Sequence, residues 1–517
     1  KIDFFEFYDQ PLADRYLKEI TGQTSTEELP LPEGAIKTDP IDVFTPGELG
    51  SNNFRIPSLF TTKEGTVIAG IDVRVGGGND SPNNIDIGIK RSTDNGQTWD
   101  SGQIVLNYPD SASGIDSSLV QDEETGEIFM LVDAFPQGGG AFQAKRGSGF
   151  SDIEVNGETV RAMNLTHTDG SKYYAIPGEI GSEFGLVVDS EGNSTNYKVD
   201  AENNLYKDDV KIGNTFAASC ELKAYLTSYL ALISSKDDGV TWSKPKLISG
   251  QFKKEWMSFL GTGPGRGYQI KNGEKAGRLI FPVYSLNRNQ KQSSAVIYSD
   301  DHGITWQLGE SVNDNRIVNG VTIQGETFTG ASGEEMTEAQ VVEMPNGELK
   351  MFMRNPSKAN PAVATSKDGG ETWENIIEYE NDLREPYCQL SVINYEGEID
   401  GKPALIFANP NSSSRAEGTV QIGLINNIGT EENPVWDFEW KYKQLVKPGY
   451  YAYSCLSQLD NGNIGLFYEG TANQEMSFIQ MNIDYLKADL LADAPTAEIK
   501  SITSLDIIES YNPGDVV

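Results

Sequence analysis

The chain repeats one eight-residue phrase, Ser-x-Asp-x-Gly-x-Thr-Trp, four times: STDNGQTW at 92–99, SKDDGVTW at 235–242, SDDHGITW at 299–306 and SKDGGETW at 366–373. Fixed residue types at fixed spacing mark an architectural repeat, which constrains the fold before any chemistry is considered. The composition is that of a hairpin tip. The Asp accepts hydrogen bonds from nearby backbone amides, the Gly supplies a positive φ, and the Trp folds back as an apolar plug. Strand-like runs precede the copies, IDIGIK before Ser92 and SAVIY before Ser299, so the phrase belongs between two strands. Metal or substrate binding by these aspartates is disfavoured, because the flanks lack the ligand density of a calcium loop.

The copies start 143, 64 and 67 residues apart. A period of about 65 residues holds four strands with their connections, which is one blade of a β-propeller. The long gap implies either a degenerate copy or an added module. The stretch 145–223 favours the module, with its own Asn156-Gly157 hairpin signal and the polar strands of NYKVDAENNLYKDDVKIGN. Removing it from 41–485 leaves about six blades of roughly 60 residues, with seven as the alternative. The expected fold is therefore all-β, a six-bladed β-propeller with a small β-rich domain inserted after the first repeat. Runs such as RLIFPVYSL, ELKMFMR, ALIFANP and IGLFYEG read as strands, and Asn346-Gly347 and Asn461-Gly462 read as hairpin turns. Residues 1–40 read as a short helix, with Leu12, Tyr16, Leu17 and Ile20 on one face, and a connector. Residues 486–517 read as a tail.

Forty-one basic residues against seventy-six acidic ones, net charge −35, exclude nucleic acid as a partner. The same acidity fits a secreted or surface protein. No apolar run is long enough for a membrane helix. Lys1 is followed by no signal-like segment, so a mature or excised fragment is expected. Cys220, Cys388 and Cys455 make neither a disulfide framework nor a zinc spacing and are expected as buried thiols. His167 and His302 are the only histidines, and neither supports a Ser-His or Cys-His mechanism. Any catalysis must then use carboxylates, Tyr, Lys or Arg, with no metal and no cofactor, in a domain expected to be monomeric.

A propeller places its ligand on the axis, so site residues should be scattered along the chain. Arg55 in FRIPSLF, Arg354 in KMFMRNP and Arg415 in NPNSSSRAEG are polar residues in or beside apolar strands. Three arginines from separate blades can converge on one carboxylate with bidentate geometry.

FRIP at 54–57 followed by four such repeats, known as Asp boxes, resembles the bacterial sialidase (neuraminidase) family over about 50–485, leaving the insert and the ends outside. The resemblance implies a six-bladed propeller acting on sialylated glycans, glycoproteins or glycolipids. It implies that Arg55, Arg354 and Arg415 grip the sialic acid carboxylate, with Arg74 in DVR a further arginine near the substrate. Asp80 in GGGNDSPNN matches the general acid/base, with Asp72 and Asp86 as nearby alternatives. Tyr453 in YYAYSCL matches the nucleophile, with Tyr450 and Tyr451 as local rivals, and Glu338 in MTEAQVVE matches its partner carboxylate.

These residue types suit the chemistry. A carboxylate nucleophile would meet the like charge of a sialic acid carboxylate, which a neutral phenol avoids. A phenol needs a base, the role of Glu338, and tyrosine nucleophiles are the sialidases' exception to the usual carboxylate pair. The glycines Gly76 to Gly78 would let the Asp80 loop close over the sugar. Charges beyond roughly 8 Å are largely screened at physiological salt, so arginines at contact outweigh the overall negative charge. Family variants that transfer rather than hydrolyse bring an aromatic over the site. The stretch FYEGTANQEMSF after Tyr453 holds no Trp, which favours hydrolysis over intramolecular or intermolecular sialyl transfer. A non-catalytic carbohydrate-binding propeller is the alternative from another class.

Overall fold

Short β-branched and aromatic runs bounded by Gly, Asn and Asp turns dictate strands through nearly the whole chain. The computed structural model describes residues 31–488 apart from 177, 179–183 and 332. The helix expected near residues 12–20, most of the connector before residue 41 and the tail beyond 488 lie outside the described residues. A short helix, Ile483–Lys487, follows the last strand.

The sheets are antiparallel meanders. Ala339–Glu343, Leu349–Met353, Ala362–Ser366 and Glu378–Tyr379 pair in chain order, and Ser391–Asn394, Ala404–Pro410, Ala416–Asn427 and Trp436–Tyr450 do the same. A five-stranded sheet runs Phe259–Thr262, Leu279–Leu286, Gln292–Ser299, Gln307–Leu308, with Tyr268–Gln269 beside Leu279–Leu286. A nine-stranded sheet joins two meanders, Phe54–Thr61 to Gln103–Leu106 and Ser113–Gln121 to Lys246–Leu247, through the parallel pair Ile85 and Ser113. The last meander, Ser454–Gln458, Ile464–Glu469 and Met476–Met481, takes its fourth strand from Ile41–Phe44. The two ends of the sheet-forming chain thus meet in one sheet, which removes a free edge from the arrangement. The result is all-β and propeller-like, with hydrophobic clusters between neighbouring sheets. The first strand of each meander lines the middle.

All four Asp boxes adopt one geometry and join the third strand of a meander to the fourth. The Asp side chain accepts the Thr hydroxyl at 2.6 Å in every copy. It also accepts the Thr backbone N–H and the Ser hydroxyl. The fourth and fifth residues are both left-handed, as in Asp238 (φ 61°) and Gly239 (φ 80°). That conformation restricts the fourth position to Asn, Asp, His or Gly here. The tryptophans plug the gaps between sheets: Trp306 packs edge-on against Phe129 of the neighbouring sheet with ring centroids 6.5 Å apart, and Trp99 packs edge-on against Phe478 at 5.4 Å.

The long gap between the first two boxes holds more than an added stretch. It contains the ordinary strands Ser113–Gln121 and Ile128–Phe135, and then a separate eight-stranded sheet from Phe150–Val155 to Leu222–Ala224. The Asn156-Gly157 turn joins its first two strands. This sheet shares one continuous apolar core with its neighbours, through Tyr108 on Phe216 (4.9 Å) and Phe150 on Tyr229 (5.9 Å).

Candidate active site

Two bulged strands begin the site. Phe54–Thr61 shifts register between Arg55 and Ser58, where Ile56 has φ 61°. A β-branched residue there is strained, and Glu469 holds it: Glu469 Oε1 accepts the Ile56 N–H at 3.0 Å. The same carboxylate accepts Arg55 Nε at 3.0 Å and Nη2 at 3.3 Å, and the Tyr453 N–H at 3.4 Å. Glu469 is fully buried at the end of Ile464–Glu469, so it ties Arg55, the bulge and the Tyr453 backbone into one unit. The second bulge, at Asp116 (φ 61°) in Ser113–Gln121, turns that residue's N–H to Asp72 Oδ1 at 3.0 Å. Bulges of this kind re-aim side chains at a sheet's rim.

Tyr453, just before Ser454–Gln458, is the hub. Its hydroxyl donates to Glu338 Oε1 at 2.6 Å. Arg354 Nη1 donates to Tyr453 Oη at 2.8 Å and also bonds Glu338 Oε2. The Arg55 and Arg415 guanidinium carbons lie 5.1 and 5.3 Å from the centroid of the Tyr453 ring. The Arg415 side chain makes no ion pair or hydrogen bond among the described residues. Burial pushes the Tyr453 hydroxyl well above the ordinary phenol range, with Arg354 pulling the other way. The resting phenol is therefore neutral, its proton directed at Glu338.

Asp80 reaches the cluster from the loop between Val67–Arg74 and Ile85–Ser92. Its side chain is 67% exposed, with Oδ1 at 2.7 Å from Arg74 Nη1 and 3.7 Å from Arg55 Nη1. Desolvation alone would raise this carboxyl, but the charges of Arg74, Arg55 and Arg415 outweigh it and hold it below the usual range. Arg74 is wholly buried and also donates to Asp72 Oδ2 at 3.1 Å. Behind it, burial raises the carboxyls of Asp116, Asp133 and Asp72; their mutual repulsion adds to the effect, and Arg74 opposes it at Asp72. The glycines of the loop serve close packing. A Cβ on Gly76 would lie 2.1 Å from Asn83 Oδ1, and one on Gly78 would lie 2.9 Å from Asn473 Nδ2.

Arg55, Arg74, Asp80, Glu338, Arg354, Arg415 and Tyr453 thus form one contiguous cluster. Of the rival candidates, Tyr450 packs against the cluster of Ile56, Cys388, Ala452 and Tyr453, and the others make separate contacts. Tyr451 is stacked on Tyr468 at 5.4 Å, Asp86 accepts from Asn107 at 3.2 Å, and Asp72 faces Arg74 and Asp116. Three site residues escaped the sequence reading: Glu469, Asp116, and Tyr387, whose ring lies 4.0 Å from the Arg354 guanidinium carbon. Glu469 in IGLFYEG and Asp116 in GIDSSLV are polar residues in strand runs, the same signal that singled out Arg55.

An all-β, propeller-like protein with arginines gathered around a tyrosine and its carboxylate partner defines a class whose site has the charge and geometry suited to an anion. Residues 210–466 match the family model described as a BNR repeat-like domain. The chain is 35% identical to an anhydrosialidase of Macrobdella decora over 89% of its own length, and 30% identical to sialidase B of Streptococcus pneumoniae over 81%. It spans 62% of the length of each of these two relatives. Among solved structures, the intramolecular trans-sialidase from Ruminococcus gnavus superposes with a TM-score of 0.74 at 33% identity, covering 86% of this chain and 98% of that one. The chain belongs to the sialidase family.

Proposed function

We propose that the chain is an exo-α-sialidase domain that hydrolyses terminal sialic acids from glycoconjugates with retention of configuration. The observation that carries the reading is the Tyr453 hydroxyl held between Glu338 Oε1 at 2.6 Å and Arg354 Nη1 at 2.8 Å. Arg55, Arg354 and Arg415 receive the substrate carboxylate, and the unpaired state of Arg415 supports that role. Glu338 takes the phenol proton as Tyr453 Oη attacks the anomeric carbon. Asp80 protonates the leaving oxygen, and its carboxylate then removes a proton from the water that releases the sugar. A carboxylate bound to the arginines cancels the charge that keeps Asp80 ionised, so substrate itself supplies the condition for Asp80 to act as an acid.

The same reading takes the sheets as six blades, with the eight-stranded sheet inserted in the second and the catalytic domain running over 41–485 as a monomer. The domain is proposed to act as a secreted or surface-displayed enzyme; among the described residues no helix is long and apolar enough to cross a membrane.

Release of a fluorescent aglycone from an α-sialoside tests the assignment, with Tyr453→Phe as control. Full activity in that variant removes Tyr453 from the nucleophile role, and no activity in the parent chain leaves the carbohydrate-binding propeller as the reading.

Intramolecular transfer is the second reading, favoured by relatives named anhydrosialidase and intramolecular trans-sialidase. Hydrolysis is favoured by residues 470–475. This loop abuts the Asp80 loop through Asn473, accepts the Phe54 N–H and carries no aromatic side chain to exclude water. NMR of the products separates the two: free sialic acid supports hydrolysis, and an anhydro sugar supports transfer.

A further inference from the structure

The segment from Arg384 to Cys388 links two successive sheets, between Glu378–Tyr379 and Ser391–Asn394, and its backbone is pinned from outside. The Glu385 N–H donates to Ala359 O at 2.8 Å, Asn360 Nδ2 donates to Leu383 O at 2.8 Å, and Asn409 Nδ2 donates to Arg384 O at 2.6 Å. Within this frame Glu385 Oε1 accepts the Cys388 N–H, which closes a turn over Pro386 and Tyr387. Tyr387 is left-handed there, with φ 58°. A bulky residue keeps that conformation only where its surroundings impose it, and such strain gathers at ligand sites. The turn lays the Tyr387 ring 4.0 Å from the Arg354 guanidinium carbon and seats Cys388 against Ile56, Ala452 and Tyr453.

The residue that closes this turn is a buried carboxyl. Glu385 is 1% exposed, forms no ion pair among the described residues, and its Oε2 makes no hydrogen bond. Closing the turn needs one acceptor oxygen, which an amide supplies without burying an ionisable group. Three groups face the carboxyl: Arg354 at the end of Leu349–Met353, Glu338 at the start of Ala339–Glu343, and the Cys388 thiol, which burial keeps protonated. Burial raises the Glu385 carboxyl to about 7, with the Cys388 N–H and the Arg354 charge pulling the other way. Arg354 already pairs with Glu338. An ionised Glu385 is therefore a second carboxylate beside one guanidinium.

We propose that Glu385 is a positioning residue with two effects on the site: it shapes the turn that sets Tyr387 on Arg354, and by losing its proton it weakens the grip of Arg354 on an anionic ligand as pH rises. The inference rests on the reading that Arg354 receives the ligand's carboxylate. Protonated, Glu385 leaves Arg354 to Glu338 and the ligand. Ionised, it offsets the arginine's charge and repels the ligand's carboxylate. By linkage, an anion that raises the Glu385 pKa by about one unit binds about tenfold more weakly once Glu385 is ionised.

Two measurements on the full chain test this with Glu385→Gln, which keeps an acceptor oxygen and loses the charge, and Glu385→Ala, which loses both. The first is calorimetric titration with free sialic acid at about pH 5.5 and about pH 8, below and above the window in which Glu385 titrates. Glu385→Gln is expected to match the parent at the lower pH and to bind about tenfold more tightly than the parent at the higher. Glu385→Ala is expected to bind more weakly than Glu385→Gln at both. The second is chemical denaturation between pH 4.5 and 7, which needs no ligand. A carboxyl whose pKa is raised on folding contributes stability below its unfolded pKa and loses it as pH rises through the folded one. The parent's unfolding constant, relative to that of Glu385→Gln, should therefore climb by up to about tenfold per pH unit. If Glu385→Ala does not fold, the comparison with Glu385→Gln carries the test alone. A flat ratio, equal affinities of parent and Glu385→Gln at the higher pH, or a folded Glu385→Ala that binds as Glu385→Gln does would overturn the proposal. A climbing ratio in a chain that binds no sialic acid overturns instead the ligand assigned to Arg354, and with it the effect on anion binding.

Discussion

Glu338 Oε1 accepts the Tyr453 hydroxyl at 2.6 Å across 115 positions of sequence, and Arg354 bonds both residues. In this geometry the phenol can lose its proton to Glu338 without rearrangement. Glu338→Gln keeps the shape and removes the base. Turnover of an activated α-sialoside is expected to fall by roughly 10²–10⁴-fold, the usual worth of a positioned base, and the thermal midpoint is expected to fall as well, because the buried Arg354 loses its carboxylate partner. Steady-state kinetics beside a melting curve checks both.

Glu469 is a positioning residue whose loss should appear in stability. It is fully buried and accepts from Arg55, Ile56 and Tyr453. Glu469→Ala leaves Arg55 buried and short of a partner, which is expected to cost about 3–5 kcal/mol. Chemical denaturation measures this, and a loss below about 1 kcal/mol, the range of an exposed pair, would show that Arg55 finds another partner.

The pH behaviour of Asp80 follows from its neighbours. Desolvation raises the carboxyl, and Arg74, Arg55 and Arg415 lower it further than burial lifts it. Removing a positive neighbour favours the protonated form, so Arg74→Gln is expected to raise the Asp80 pKa. An activity that needs protonated Asp80 then persists to higher pH. Because the folded pKa is depressed, the linked stability is present above the unfolded pKa and fades as pH falls through the folded one. That contribution is small for a side chain 67% exposed. Carbon-detected NMR of the Asp80 carboxyl should show the upward shift.

The Asp boxes should report on architecture alone. Gly96 has φ 83°, and a Cβ there would lie 2.2 Å from Phe478 Cε1, the ring that packs on Trp99. Gly96→Ala is expected to destabilise by about 1–3 kcal/mol through overpacking and backbone strain. The kcat of the folded fraction should not change. A large fall in kcat without loss of stability would place the box in the chemistry.

The Asp boxes were legible in the sequence because each is a local device: Ser, Asp, Gly and Thr bond within eight residues, so spacing alone reports the geometry. The strands and the hairpin turns at Asn156, Asn346 and Asn461 were legible for the same reason. Arg55, Arg354 and Arg415 could be selected by context, as polar residues in or beside apolar strands, whereas Tyr453 was legible only through the family resemblance. Glu469 satisfied the same criterion and was passed over, since its importance comes from Arg55, Ile56 and Tyr453 converging on it from distant strands. The isolation of Arg415, whose side chain makes no ion pair or hydrogen bond among the described residues, had no sequence signal. A charge becomes unpaired only when every possible partner has been placed. By itself the sequence determined the repeating turn, the strand pattern and the residue types able to act. Which of those residues meet, which remain without partners and which glycines serve packing was decided by tertiary structure, because those properties depend on distances between segments hundreds of residues apart.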